Sequence, residues 1–350
     1  SRSQFNNLSI DYILRIETMN YSDEVIVSTK ALAEHCMNAL DDPNKPIHIL
    51  PNLPLESLCD VGGRYEKMIV EKFDNDELNI ILTSGTLSHK QILNETIFPV
   101  LRRILEKYPH LIISTIGHIT LPSYFNQFQE RIISIPFTDY DSYLNSLSQG
   151  NIALVPLEKH ATTDGKSAIK WMEASYCGVP CICSPVRAYT DVTEDGHDVF
   201  IAKNGEQWEQ MISYLIDQTN TRRELTNNAF KSAKHQFNNS VGIDFWKNIL
   251  KKEDESNLNK SSTKKVLLMN VYFAPQSVGG ATRVAQDYVK AMLNDSNINY
   301  DVTVLCTEYD HWHSDHGQKR PHKKRSDDAI PLAIIQTAQQ KSDIANSYGA

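Results

Sequence analysis

The chain has no apolar run long enough to cross a bilayer: no stretch of ~18 or more such residues occurs in it. A membrane-spanning helix is therefore excluded, while contact with a membrane surface is not. An excess of basic charge is also missing. Thirty-five Lys and Arg stand against 43 Asp and Glu, a formal net charge of −8. Nucleic-acid binding rests on basic surface that neutralises phosphates, so a general nucleic-acid binder is excluded too. Cysteine is sparse. Cys36, Cys59, Cys177, Cys181, Cys183 and Cys306 are too scattered for a disulfide framework, and reduced thiols in a cytosolic chain are expected. The sequence opens at Ser1 without Met or a recognisable signal peptide, and reads as if it began inside a domain.

What is present is enough for real cores. The 350 residues, 41% of them hydrophobic, suit two or more domains. Short, almost continuously apolar runs lie at 24–28, 47–50, 79–83, 111–116, 131–135, 152–156 and 180–183. Such runs suit strands buried on both faces. Helical patterns lie between them. In "KQILNETIFPVLRRILEKYP" the residues Ile92, Ile97, Leu101 and Leu105 fall near one face, and Tyr108-Pro109 ends the helix. "DSYLNSLSQG" reads as a short helix closed by Gly150. Alternating strands and helices predict a parallel sheet with right-handed crossovers, and ligands in such folds bind beyond the carboxyl ends of the strands.

After Lys251 the composition changes. "KKEDESNLNKSSTKK" is charged and poor in apolar residues, and reads as a linker. "KVLLMNVYFAPQSVGGATRVAQDYVKAML" then begins a fresh strand–loop–helix unit, "YDVTVLCTEY" supplies a second strand, and "AIPLAIIQT" suits another. His311, His313, His316 and His322, with Asp310 and Asp315, match no established metal-ligand spacing; a hydrophilic mobile loop, with no metal, is the better reading.

Two loops carry the chemistry. In "ILTSGTLSHKQIL" a buried strand runs into Ser84-Gly85-Thr86, and a helix starts near Ser88 or His89. Gly85 lets the backbone approach an anion. Ser84 and Thr86 offer hydroxyls and amides, and Lys90 a point charge in the first helical turn. Helix N-termini attract anions through free amides and the macrodipole. An ordinary βα turn with an exposed lysine is the plainer alternative. The second loop is "TTDGKSAIKWMEASYCGVPCICSPV", residues 162–186. At 3.6 residues per turn Lys166, Lys170, Glu173 and Cys177 share one helical stripe, and Ile169, Met172 and Tyr176 form an apolar one beside it. A solvated Lys–Glu face is the alternative. Against it, the lysines stand at the helix N-terminus, where they oppose the macrodipole unless a polyanion is bound. Both loops follow strands, so both open on one edge of the sheet. "GKS" is not a P-loop, because the required upstream glycine is Ala161 or His160 here. Lys159 and His160 read as a solvated stretch.

Together these loops resemble the carboxyl-terminal half of GT-B fold nucleotide-sugar glycosyltransferases, family 4 above all, over roughly residues 23–250. "GKSAIKWMEASYCGVPCICSPVRAYTDV" is similar to the KS-x-x-K-(aromatic)-x-E…G-x-P…S signature of a subset of these enzymes, "SGTLSHK" to their first carboxyl-domain loop, and "IPFTDYDSYLNSLSQGNIALVPL" to the segment passing the nucleobase. The resemblance implies a Rossmann-like parallel α/β fold. The donor is a nucleotide-diphosphate sugar acting as substrate, and no further cofactor or metal is expected. Glu173 would accept hydrogen bonds from the ribose hydroxyls. Ser84, Gly85, Thr86 and Lys90 would flank the diphosphate; Gly165, Lys166 and Ser167 would face the diphosphate and donor sugar; Pro136, Phe137 and Thr138 would border the base; Lys170 would orient Glu173. Lys166 and Lys90 are the expected catalytic cations. Many members carry two glutamates separated by seven residues, yet the position eight before Glu173 is Gly165, with Asp164 one place away. Thr86 stands where an Arg is common. These departures bear on the donor sugar more than on the use of a nucleotide diphosphate.

The same resemblance divides the chain. Residues 1–50 read as the end of a GT-B amino-terminal domain and its crossover, 51–252 as the donor-binding carboxyl-terminal domain, 253–264 as a linker, and 265–350 as the start of a second, incomplete amino-terminal domain. In that last part Gly279 and Gly280 form a glycine loop and Arg283 sits on the first helical turn. The chain thus looks like a window on a tandem two-module glycosyltransferase. Transfer to a glycan or lipid-linked acceptor in cell-surface polysaccharide synthesis, with retention, is the implied activity. It would take place in the cytoplasm, at the inner membrane face if the chain associates peripherally. A non-catalytic nucleotide-sugar-binding or scaffold module of a polysaccharide assembly protein is the alternative.

Overall fold

The computed structural model describes residues 12–13, 15–68, 78–85, 89–254, 264–269, 300–306 and 334–337. The chain forms two compact units, Ser1–Asn248 and Ile249–Ala350. The boundary falls inside the helix Asn239–Asp254, so helix reaches two residues into the expected linker. In the second unit β9 (Lys264–Met269), β10 (Tyr300–Cys306) and β11 (Ile334–Thr337) form a sheet of order β11-β10-β9. β9 and β10 are parallel, and β11 is antiparallel to β10.

The first unit contains a parallel pair, β1 (Val25–Val27) and β2 (Ile47–Ile49), joined by the helix Lys30–Ala39. Thr29 caps that helix through a side-chain oxygen that accepts from the Leu32 amide. The main sheet follows: β3 (Asn79–Ser84), β4 (Ile112–Gly117), β5 (Ile132–Ile135), β6 (Ile152–Val155), β7 (Cys181–Cys183) and β8 (Phe200–Ile201). Its order is β5-β4-β3-β6-β7-β8, parallel throughout. The first seven strands of the chain answer the apolar runs of the sequence. β8, with two residues, is too short to give a pattern.

Side-chain alternation sorts the sheet into two cores. Ile81, Ala153, Val155, Cys181 and Cys183 point to one face, with Leu58, Trp171 and Phe230. Ile80, Leu82, Ile152, Leu154 and Ile182 point to the other, with Leu101, Ile104 and Trp208. The five cysteines whose side chains are described are free thiols, and Cys181 and Cys183 share a face as their spacing requires. The long helix runs from Lys90 to Lys107 through a π-helical stretch, Leu93–Ile97, and buries Phe98, Val100, Leu101, Ile104 and Leu105. Each such side chain contributes about 1.5–3 kcal/mol relative to exposure. Arg222 is 2% exposed, and its guanidinium donates to the Leu215 and Ile216 carbonyls near the end of the helix Gly205–Asp217.

Candidate functional site

β3 and β6 are hydrogen-bonded neighbours pointing the same way, so the segments that follow them open on one sheet edge. Ser84 ends β3, buried, and its carbonyl accepts from the His118 amide at 2.8 Å. Gly85 is exposed, with open space where a side chain would start. Thr86 lies outside the described residues, as do Gly279, Gly280, Arg283 and the histidine-rich stretch. Lys90 is exposed on the first residue of its helix.

The second loop differs from the expected one, in which the helix starts at Lys166. A single turn, Ala161–Asp164, is followed by a break, and the helix begins only at Ile169 and runs to Tyr176. Lys166 therefore precedes the helix instead of sharing a stripe with Lys170 and Glu173. Partners from elsewhere hold the intervening residues out of helical pairing. Thr29 Oγ1 donates to the Gly165 carbonyl at 3.3 Å, and Asn52 Nδ2 donates to Ser167 Oγ at 2.8 Å. Asp164 Oδ1 accepts from the Arg187 amide at 3.0 Å, at the start of the short helix Arg187–Thr190. Gly165 itself lies under Leu32, whose Cδ2 would stand 3.2 Å from an added Cβ. The position where a glutamate is usual is thus filled by a contact from the helix Lys30–Ala39. The Ile169–Tyr176 helix is buried from Trp171 to Tyr176, on more than the one apolar stripe foreseen.

The two loops are tied together. Lys170 Nζ donates to the Thr83 carbonyl at 2.7 Å, and Glu158 Oε1 accepts from the Ile92 amide at 3.3 Å. Lys170 keeps part of its surface accessible, but the protein packed around its ammonium displaces solvent and pushes its pKa down to about 8, with Glu173 opposing and Lys166 adding to the shift. Burial lowers the Lys166 pKa as well, against the pull of Glu158. His89 is buried beside them. Burial first, then the charges of Lys166 and Lys170, push its pKa down to about 4, so its imidazole is neutral at pH 7. Two lysines, a neutral histidine and a helix start converge, an arrangement suited to a polyanion. Glu173 stands one turn beyond Lys170, only 6% exposed, and its Oε2 accepts from the Tyr143 phenol at 2.9 Å.

Pro136, Phe137 and Thr138 follow β5 at the same edge. Phe137 is exposed and stacks on His118, ring centroids 5.5 Å apart and planes 15° from parallel. Ser167 and Ala168 also border a cavity of about 420 Å³ that Thr29, Ile49, Asn52 and Arg187 help to line. Lys159 and His160 are exposed, as expected. Thr83, His89, His118, Tyr143 and Glu158 were not legible as site residues. They belong to separate elements, and only folding joins them; the paired phenols of Tyr140 and Tyr143 on the face that carries Leu144 and Leu147 were the one local signal.

A six-stranded parallel sheet with helices on both faces, and two loops that open at its carboxyl edge, define a Rossmann-like domain with the GT-B glycosyltransferase fold. Residues 66–232 match the family described as glycosyl transferases group 1. No curated protein matches the chain in sequence. Among solved structures, Anabaena Alr3699/HepE in complex with UDP-glucose superposes with a TM-score of 0.51 at 13% identity, over 72% of this chain and 70% of that one. The pneumococcal O-GlcNAc transferase GtfA in complex with UDP and GlcNAc gives 0.50 at 17% identity, over 69% and 47%. TarM gives 0.50 at 15% identity, over 69% and 45%. These likenesses concern the fold, and the chain spans less than half the length of TarM and of GtfA.

Proposed function

We propose that the chain is part of a glycosyltransferase that takes a sugar from a nucleotide-diphosphate donor and passes it to a glycan or lipid-linked acceptor, with retention, in cell-surface polysaccharide synthesis. The observation that carries the reading is the convergence of Lys166, Lys170 and His89 at the sheet edge, clamped by the bond from Lys170 Nζ to the Thr83 carbonyl at 2.7 Å. The ligands named with the similar structures, UDP-glucose for HepE and UDP with GlcNAc for GtfA, support the same donor chemistry. In this reading the donor is a substrate, not a resident cofactor. Its diphosphate lies between the segments after β3 and β6. Lys166, Lys90 and amides preceding Ile169 stabilise the negative charge that grows on the leaving diphosphate as the glycosidic bond breaks. Glu173 accepts hydrogen bonds from the ribose hydroxyls. Pro136, Phe137 and Thr138 border the base.

A binding module without turnover is favoured by one feature, the packing of Leu32 over Gly165 where a donor-contacting glutamate is usual. Calorimetry with uridine, guanosine and adenosine diphosphates tests the shared site. Hydrogen bonds to a charged group are worth about 1.5–3 kcal/mol, so Glu173→Ala should weaken binding roughly 10- to 100-fold. Equal binding by that variant sinks the assignment. Donor turnover that survives in Lys166→Ala at the unaltered rate removes the catalytic role of that lysine.

A further inference from the structure

The group with the furthest reach is the phenol of Tyr143. It lies on the helix Tyr140–Ser148, which starts directly after the Pro136–Thr138 segment. Asp139 caps that helix by accepting from the Ser142 amide at 2.9 Å, which fixes the helical phase and turns Tyr143 inward. The phenol donates to Glu173 Oε2 at 2.9 Å, and the Thr83 side chain lies beside it. The Thr83 carbonyl in turn receives Lys170 Nζ, one turn before Glu173. Groups from the end of β3, the Tyr140–Ser148 helix and the Ile169–Tyr176 helix thus close around one carboxylate. Burial raises the Tyr143 pKa well above its ordinary value, so the phenol keeps its proton and remains a donor over the whole working pH range.

We propose that Tyr143 is a positioning residue, which sets the plane of the Glu173 carboxylate for a ribose diol and couples that carboxylate to the segment bordering the base. The inference rests on the nucleotide-site reading above. A glutamate carboxylate, carried on three rotatable side-chain bonds, can present many orientations. A hydrogen bond to Oε2 from a ring held in a helix fixes the plane and hence the lone-pair directions of Oε1. A diol needs that direction; a diphosphate does not. Tyr143 therefore bears on the discrimination between ribose and deoxyribose and leaves the phosphate contacts alone. The same helix carries the base-bordering segment at its start, so a base that shifts this segment shifts the carboxylate with it.

The test is a calorimetric titration of the chain with UDP, 2′-deoxy-UDP and inorganic pyrophosphate, repeated with the guanosine and adenosine pairs. Wild type should prefer the ribonucleotide by about tenfold. Tyr143→Phe keeps the ring and removes only the hydroxyl. It should cut that preference by about fivefold or more while pyrophosphate affinity stays as in wild type. Glu173→Gln serves as the control that abolishes the preference. If Tyr143→Phe does not fold, Thr83→Val, which removes the hydroxyl but keeps the carbonyl that holds Lys170, should lower the preference in the same direction. A Tyr143→Phe protein that retains the wild-type preference, while Glu173→Gln loses it, overturns the positioning role and leaves the site reading intact. A wild type that binds none of these nucleotides, or a preference that Glu173→Gln does not change, overturns the site reading and this inference with it.

Discussion

Lys170 carries two opposed pH dependences. Its folded pKa of about 8 lies below its ordinary value of 10.5. Between those values the unfolded chain binds more protons than the folded one, so stability rises as pH climbs from about 8 to about 10.5. In the proposed site a diphosphate lies close enough to Lys170 to favour its protonated ammonium, so nucleotide affinity should fall over the same interval, by at most about tenfold per pH unit for a single proton. Melts and titrations across that range should therefore move in opposite directions, and parallel trends would exclude Lys170 as the titrating group. His89 acts at lower pH. With its pKa pushed down to about 4 from 6.5, it adds stability as pH rises between those values. Neither effect was visible in the sequence. The spacing of Lys170 and Glu173 was, because both lie on one short helix; the burial that sets the charge of Lys170 comes from the end of β3.

At the level of elements, two glycines mark where an added side chain meets a neighbour. Gly178 ends the Ile169–Tyr176 helix at φ +66°, and an added Cβ would lie 2.1 Å from the Tyr65 ring. Gly178→Ala should cost more than about 2 kcal/mol in denaturant unfolding, from strain and overpacking together. A change below about 0.5 kcal/mol would contradict the packing described. Gly165 has ordinary backbone freedom but little room beside Leu32. Gly165→Glu, which restores the usual residue of the resembled enzymes, should displace the Lys30–Ala39 helix and lower stability by about 1–3 kcal/mol, whereas Gly165→Glu with Leu32→Ala should recover part of the loss. The strands and the long helix were legible because buried parallel strands and an amphipathic helix leave strong apolar periods. The start of the Ile169–Tyr176 helix was not. It is set by Thr29, Asn52 and Arg187, far away in sequence, which occupy Gly165, Ser167 and Asp164.

For the first unit as a whole, Arg187 joins parts that the sequence separates. Its guanidinium meets Glu34 on the Lys30–Ala39 helix and Asp191 one turn along its own. The Arg187 hydrogen bond holds the Glu34 carboxyl below the usual carboxylate range. Both side chains are about one-third accessible, at 35% and 39%, so salt should screen the pair. A double-mutant cycle of Glu34→Ala and Arg187→Ala should give favourable coupling at low salt that vanishes near 1 M; coupling that persists there would mean the pair is enclosed.

The free thiols give the molecule its own clocks. Cys181 and Cys183 sit buried on β7, one strand in from the β8 edge of the six-stranded sheet, and Cys36 packs with Val25 and Leu40 under the β1–β2 pair. Burial raises the pKa of Cys36 and of Cys183, so neither presents the reactive thiolate until its surroundings open. The rate at which a thiol reagent labels Cys36 then times excursions of the small β1–β2 layer, and the rate at Cys183 times the opening of the main sheet. A nucleotide bound at the proposed site on the edge of that sheet should slow the second clock.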